Sequence, residues 1–200
     1  MKEINITERG NNIKMKSLIY TTIGIILTSN FLFAQSADTT IENIREKYNE
    51  IHENLKSYDT VSVDLDKGST EGGRVIAYYD NSELKMIEAV WRGETGKRII
   101  DCCYDNEKII FAFDRKFIYN RPIYWDKNIA TENGDNEVFN PDKTTINENR
   151  YYFKNGKLIL WLNNDNNEVS LTDGKNKLAF QELMTQIYQI KGKLKKTGTQ

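Results

Sequence analysis

Catalysis needs groups that move protons, attack carbon or phosphorus, or hold a metal, and this chain has few of them in useful arrangements. Its one histidine, His52, follows Tyr48 by four residues, beside a stripe of apolar residues at helical spacing. It is read as a helix-flank side chain with its ring partly packed. A Ser–His–Asp or Cys–His arrangement would need that ring, and nothing local supplies the partners. Zinc is disfavoured for the same reason. Cys102 and Cys103 are adjacent, so in a strand they point to opposite faces. They are expected to be two independent small core residues without CxxC spacing for redox or zinc work. Carboxylates are plentiful, but the sequence alone pairs none of them. Asn163, Asp165 and Asn167 alternate like the start of a calcium loop, yet Glu168 stands where that loop wants Gly; a hairpin loop is expected. The glycine-rich turn Gly68–Gly73 lacks the Lys–Ser/Thr pair of a phosphate loop. No catalytic residue, metal ligand or cofactor is assigned.

Recognition residues are easier to find. Tyr119–Asn120–Arg121–Pro122–Ile123–Tyr124–Trp125 runs into a long polar stretch, Asp126 to Asn147. Tyr, Arg and Trp beside a loop have the composition of an interaction hot spot, and Pro122 should interrupt strand pairing. Tyr119, Arg121, Tyr124 and Trp125 are therefore binding candidates, with Glu71 in the turn Ser69–Thr70–Glu71–Gly72–Gly73 as a second contact point. The competing reading of the rings is that they close a sheet's core. The polar stretch is unusually long for a connection, a length associated with functional or mobile loops.

The elements that must position these residues follow from periodicity. Thr39 and Glu42 form a capping-box pattern, and Ile41, Ile44, Tyr48, Ile51, Leu55 and Tyr58 fall on one helical stripe over 39–57. The period then changes to two. Val61–Leu65, Arg74–Tyr79, Leu84–Arg92, Arg98–Tyr104, Lys108–Asp114, Phe117–Trp125, Arg150–Phe153, Leu158–Leu162 and Val169–Leu171 are strand candidates. A C-terminal helix carries Phe180, Leu183, Met184, Ile187 and Ile190 on one face, with Lys191–Gln200 read as a frayed basic tail. Three turns repeat a theme: an aromatic strand end, a polar turn centred on Asn81, Asn106 or Asn155, then an aliphatic strand start. No helical pattern separates the strands. The expected fold is α+β, an antiparallel meander of about seven to nine strands flanked by N- and C-terminal helices. Several strands are apolar on both faces, so either helices cover both faces or the sheet curves around its own core.

The chain has 200 residues, 38% hydrophobic and 28% charged, with a formal net charge of -1. No basic excess exists to neutralise phosphates, so nucleic acid is not an expected partner. From Met15 the chain reads as a secretory signal: Lys16 supplies the positive region, Leu18 to Leu27 the apolar region, and Ala34–Gln35 suits cleavage. Residues 1–14 are too acidic and polar for that role and are read as an extension before the true start, giving 1–34 as signal and 35–200 as one exported domain. The apolar run is too short for a membrane span, which needs about 20 residues, so the mature chain is expected to have no stable span. No Cys near the cleavage point suggests a lipid anchor.

Ser69–Thr70–Glu71–Gly72–Gly73 before the Tyr78–Tyr79–Asp80 strand end, Gly93–Glu94–Thr95–Gly96–Lys97, and Asn120–Arg121–Pro122–Ile123–Tyr124 together resemble a group of small exported Gram-negative β-meander proteins with no assigned function. The resemblance covers roughly residues 60 to 125 and implies a β-rich periplasmic or secreted domain, without an activity. The hairpins also look like MORN-type repeats, but the glycine pattern of those repeats is missing. The sequence thus points to an exported, non-catalytic binding module for a protein, peptide or envelope component. The alternative is a periplasmic carrier of an apolar, lipid-like small molecule inside a curved sheet.

Overall fold

The computed structural model describes residues 39–65 and 70–197, with side chains through Leu194. The expected signal segment and its cleavage point lie outside the described residues, as does Asp66. The chain divides into residues 1–43, of which 39–43 are described and helical, and residues 44–200, which hold the sheet. Helix α1 spans 39–53 and ends sooner than its apolar stripe suggests. The Asn54 side chain donates to the Glu50 carbonyl, and a single 3-10 turn, Leu55–Ser57, follows.

Seven strands then pair in sequence order, every neighbour antiparallel: β1 (Asp59–Asp64), β2 (Gly73–Asp80), β3 (Glu83–Gly93), β4 (Gly96–Asp105), β5 (Lys108–Ile118), β6 (Thr145–Lys154) and β7 (Lys157–Leu162). The meander therefore holds at the lower end of the expected strand number. Three hairpins share one construction. Asn81–Ser82, Asn106–Glu107 and Asn155–Gly156 are two-residue loops with both residues at positive φ. This backbone twist matches that of the flanking strands, and Asn tolerates it. Each hairpin also slips register at its aromatic strand end, between Tyr78 and Tyr79, Cys103 and Tyr104, and Tyr152 and Phe153. The repetition visible in the sequence is thus a repeated turn together with a repeated bulge.

Beyond the early end of α1, expectation and structure part at four places. The candidates Lys108–Asp114 and Phe117–Trp125 fuse in part into β5, which stops at Ile118. Beyond it the backbone turns to the β3–β4 connection, Tyr119 N–H donating to Thr95 O at 2.9 Å and Ile123 N–H to Glu94 O at 2.9 Å. Strand β6 begins at Thr145, inside the polar stretch, because Ile118 pairs with Thr145 and carries the ladder back. Val169–Leu171 forms no strand; a single bridge joins Leu162 to Glu168, and Val169 N–H donates to Trp161 O at 2.8 Å. The supposed frayed tail continues the last helix: α3 runs Gly174–Thr197, and Leu194 is buried. Asp173 starts α3 by accepting from the Lys175 and Asn176 N–H groups.

Each sheet face has its helix. On one, Val75, Ala77, Ile87, Ala89, Ile100, Cys102, Ala112, Tyr151 and Phe153 pack with Leu183, Ile187, Ile190 and Leu194 of α3. On the other, Met86, Cys103, Phe111 and Tyr152 are buried on the side where Ile44, Tyr48 and Ile51 of α1 lie, the Tyr48 ring meeting Phe111 edge-on at 5.1 Å. Covering both faces explains strands that are apolar throughout. The sheet is open, with no pairing of β1 to β7 among the described residues. Cys102 and Cys103 are free thiols, one beneath each helix, and burial pushes both thiols up.

Candidate functional site

The connections at the end of the sheet away from the repeated turns build the candidate surface. Helix α3 reaches from Phe180, beside Tyr151 and Phe153, to Lys191, which lies over the Tyr104 ring next to the Asn106 turn. On the same face, toward the other end, an open groove of about 660 Å³ runs across β3, β4 and β5. Its central row is fixed by register: Trp91 stands opposite Arg98, and Arg98 opposite Lys116. Directly opposed side chains on one face are contact neighbours. One row outward, Gly93 pairs with Gly96 and Gly96 with Ile118. Two residues without side chains leave that row low. At Gly96 no side chain is possible without backbone movement, since a Cβ would sit 2.3 Å from Phe117 O.

The groove is cationic as well as aromatic. Arg98 and Lys116 line it beside Trp91, while Arg92, Lys97 and Phe117 border it at alternate strand positions whose side chains take the other face. Arg98 is held in place: its Nε and Nη2 donate to both Asp114 oxygens at 2.8 Å, its Nη1 donates to Gln186 Oε1 at 2.9 Å, and its guanidinium lies 5.9 Å from the Trp91 ring centre. Burial opposes its charge and the Asp114 carboxylate restores it, so Arg98 stays protonated. Lys97 extends over the Phe117 ring at 4.5 Å.

The strap joining β5 to β6, residues 119–144, folds beside this end. It contains the short helix α2 (Lys127–Glu132), capped by Asp126, whose carboxylate accepts from the Asn128 and Ile129 N–H groups. Most sequence-predicted binding residues prove to be its internal fastenings. Arg121 donates to both Asp135 oxygens, at 2.5 and 3.0 Å, and lies 3.6 Å from Glu137. The Arg121 guanidinium and the Glu137 N–H hold the Asp135 carboxyl well below the usual carboxylate range. Tyr119 packs edge-on against Phe139 at 5.3 Å. Trp125 is half-buried, its carbonyl accepting from Phe139 N–H at 2.8 Å. Its indole N–H is buried near Asp135 without reaching hydrogen-bond geometry. Only Tyr124 faces solvent, half exposed, its hydroxyl donating to Glu94 Oε2 at 3.2 Å. Glu71 lies close enough to Tyr124 to raise its phenol, behind the larger effect of Glu94. Glu71 is also exposed, in the turn whose N–H donates to Arg92 O. The structure thus brings Tyr124 and Glu71 together at the sheet end and commits Tyr119, Arg121 and Trp125 to the strap.

Sequence reasoning missed Trp91, Arg98 and Lys116. They lie on three different strands, and only the register aligns them.

The fold is an open antiparallel meander with one helix on each face and a groove at one end. Comparison with protein families, curated proteins and solved structures found no match for this chain.

Proposed function

We propose that the chain is an exported, non-catalytic binding module whose groove takes an acidic, extended segment of an envelope protein or peptide. The observation that carries this reading is the Trp91–Arg98–Lys116 row, an aromatic ring beside two cations on one sheet face, of which Arg98 is fixed by Asp114 and Gln186. Tyr124, Glu94 and Glu71 border the sheet end and would disfavour acidic residues there. A packed cluster fills the α3 side and the sheet does not close on itself, which favours a surface site over a lipid-like cargo enclosed by the sheet.

The test is tryptophan fluorescence with peptide panels of opposite charge, alongside capture from envelope extracts. Acidic peptides should perturb the signal, bind more weakly as salt rises, and lose most affinity in Trp91→Ala protein of unchanged circular dichroism. Equal binding of basic peptides, or no retained partner from the extract, would sink the reading. Export is tested separately: N-terminal sequencing of protein from its native cell should begin near Gln35. A start at Met1 or Met15 on cytosolic material would overturn it.

A further inference from the structure

The sheet face under α1 carries a second, chemically different concavity. A half-open cavity of about 280 Å³ lies where Arg45 and Tyr48 of α1 face Phe111 and Phe113 of β5 and Arg150 and Tyr152 of β6. That volume lies just under the usual range for small-molecule sites, about 300–1,000 Å³. Its walls are flat. Phe111 and Tyr152 meet at 4.9 Å and Phe111 and Phe113 at 6.4 Å between ring centres. Its charged groups are guanidinium cations. The Arg150 guanidinium rests 4.9 Å from the Phe113 ring centre, held from outside by Glu148 Oε2 at 2.5 Å. Arg115 lies over the same ring at 4.8 Å, and its charge is balanced by buried Asp101. Arg45 lies 5.8 Å from the Tyr152 ring centre, its Nε donating to the Tyr152 hydroxyl at 3.4 Å. Among the described residues, the carboxylates nearest the cavity, Glu148 and Asp101, stand behind Arg150 and Arg115 and do not line it. Burial, followed by the Asp101 charge, pushes the Tyr48 phenol up to about 12, so it remains a proton donor at neutral pH.

A pocket with aromatic walls and two arginines at its mouth recognises a flat body carrying an anion. A guanidinium favours the planar, two-oxygen geometry of a carboxylate. We infer that this cavity binds a small aromatic carboxylate, its ring against Phe111 and Phe113 and its carboxylate between Arg45 and Arg150. This site is independent of the groove beside α3, since the two lie on opposite faces of the sheet.

The test titrates the full-length chain with benzoate, benzamide and acetate by calorimetry and by ¹H–¹⁵N spectra. Benzoate should bind saturably and shift the Phe113 and Arg150 amides. Benzamide, without the charge, and acetate, without the ring, should each bind at least about tenfold more weakly. Arg45→Gln and Arg150→Gln should each weaken benzoate by about tenfold with the melting temperature little changed. Benzamide binding as well as benzoate, shifts confined to other surfaces, or undiminished binding in the double variant would overturn the assignment. The ligand comparison uses the unaltered chain, so it decides the matter even if a variant fails to fold. A peptide C-terminus binding while benzoate does not would also refute the small-molecule reading.

Discussion

Asp101 is 1% exposed on the face under α1, yet it is ionisable. Its carboxylate pairs with Arg115, but its Oδ1 has no hydrogen-bond partner among the described residues. Burial therefore outweighs the ion pair and pushes the carboxyl up to about 6, with Glu88 adding to the rise and Arg115 and His52 opposing it. A carboxyl raised above its unfolded value binds protons more readily when folded. Its contribution favours the fold below about pH 4 and is lost as pH rises to about 6. Asp101→Asn should remove that loss, gaining up to about 3 kcal/mol on the parent between those limits. Urea unfolding across pH 4 to 7 measures it, and parallel curves for the two proteins would refute the account. The cysteines give a second residue-scale expectation. Both thiols are free and buried, so reductant should leave the unfolding midpoint unchanged, and a reductant-dependent midpoint would contradict that. Their opposite facing was legible in the sequence because alternation alone dictates it. The buried charge was not, because Asp101 looks like any polar residue until the register sets it beneath α1 and beside Arg115.

At the scale of elements, the repeated hairpins give a graded test. Ser82 and Gly156 occupy the same loop position, both at φ +74°. A side chain in this left-handed region costs about 1–2 kcal/mol that glycine avoids, less the backbone freedom glycine surrenders. Ser82→Gly should stabilise the protein by about 0.5 kcal/mol, and Gly156→Ala should destabilise it by about 1 kcal/mol. Denaturant unfolding reads both, and the same sign for the two changes would refute the shared turn geometry. These turns were legible because an Asn between an aromatic and an aliphatic strand end is a local signal. The end of β5 was not. Tyr119–Trp125 has strand composition, but its N–H groups find better partners in Thr95 and Glu94 across the sheet end, a choice made by tertiary contact. The Trp91–Arg98–Lys116 row was hidden for a related reason. Alignment across three strands depends on loop lengths and on the bulge between Cys103 and Tyr104, and one residue of slip would send the side chains to the other face.

At the scale of the molecule, consecutive pairing makes β3, β4 and β5 the centre of the sheet, flanked on both sides and packed beneath two helices, while β1 and β7 are its outermost strands. Amide exchange should be slowest at Ile87, Ala89, Ile100, Cys102 and Ala112 and fastest in β1, whose side chains are exposed or half exposed throughout. Uniform exchange across the seven strands would contradict that order.

The three left-handed loops all close one margin of the sheet, and each is two residues long. The other margin carries the Glu94–Thr95 turn, the strap and the segment 163–173 that leads to α3. A two-residue loop with fixed dihedrals has no room for insertion without losing register, whereas the opposite margin already accommodates links from two residues to twenty-six. The architecture is therefore asymmetric in what it lets evolution alter. One edge is a selvedge that locks the weave, and novelty in partner choice can accumulate along the other without unpicking a strand.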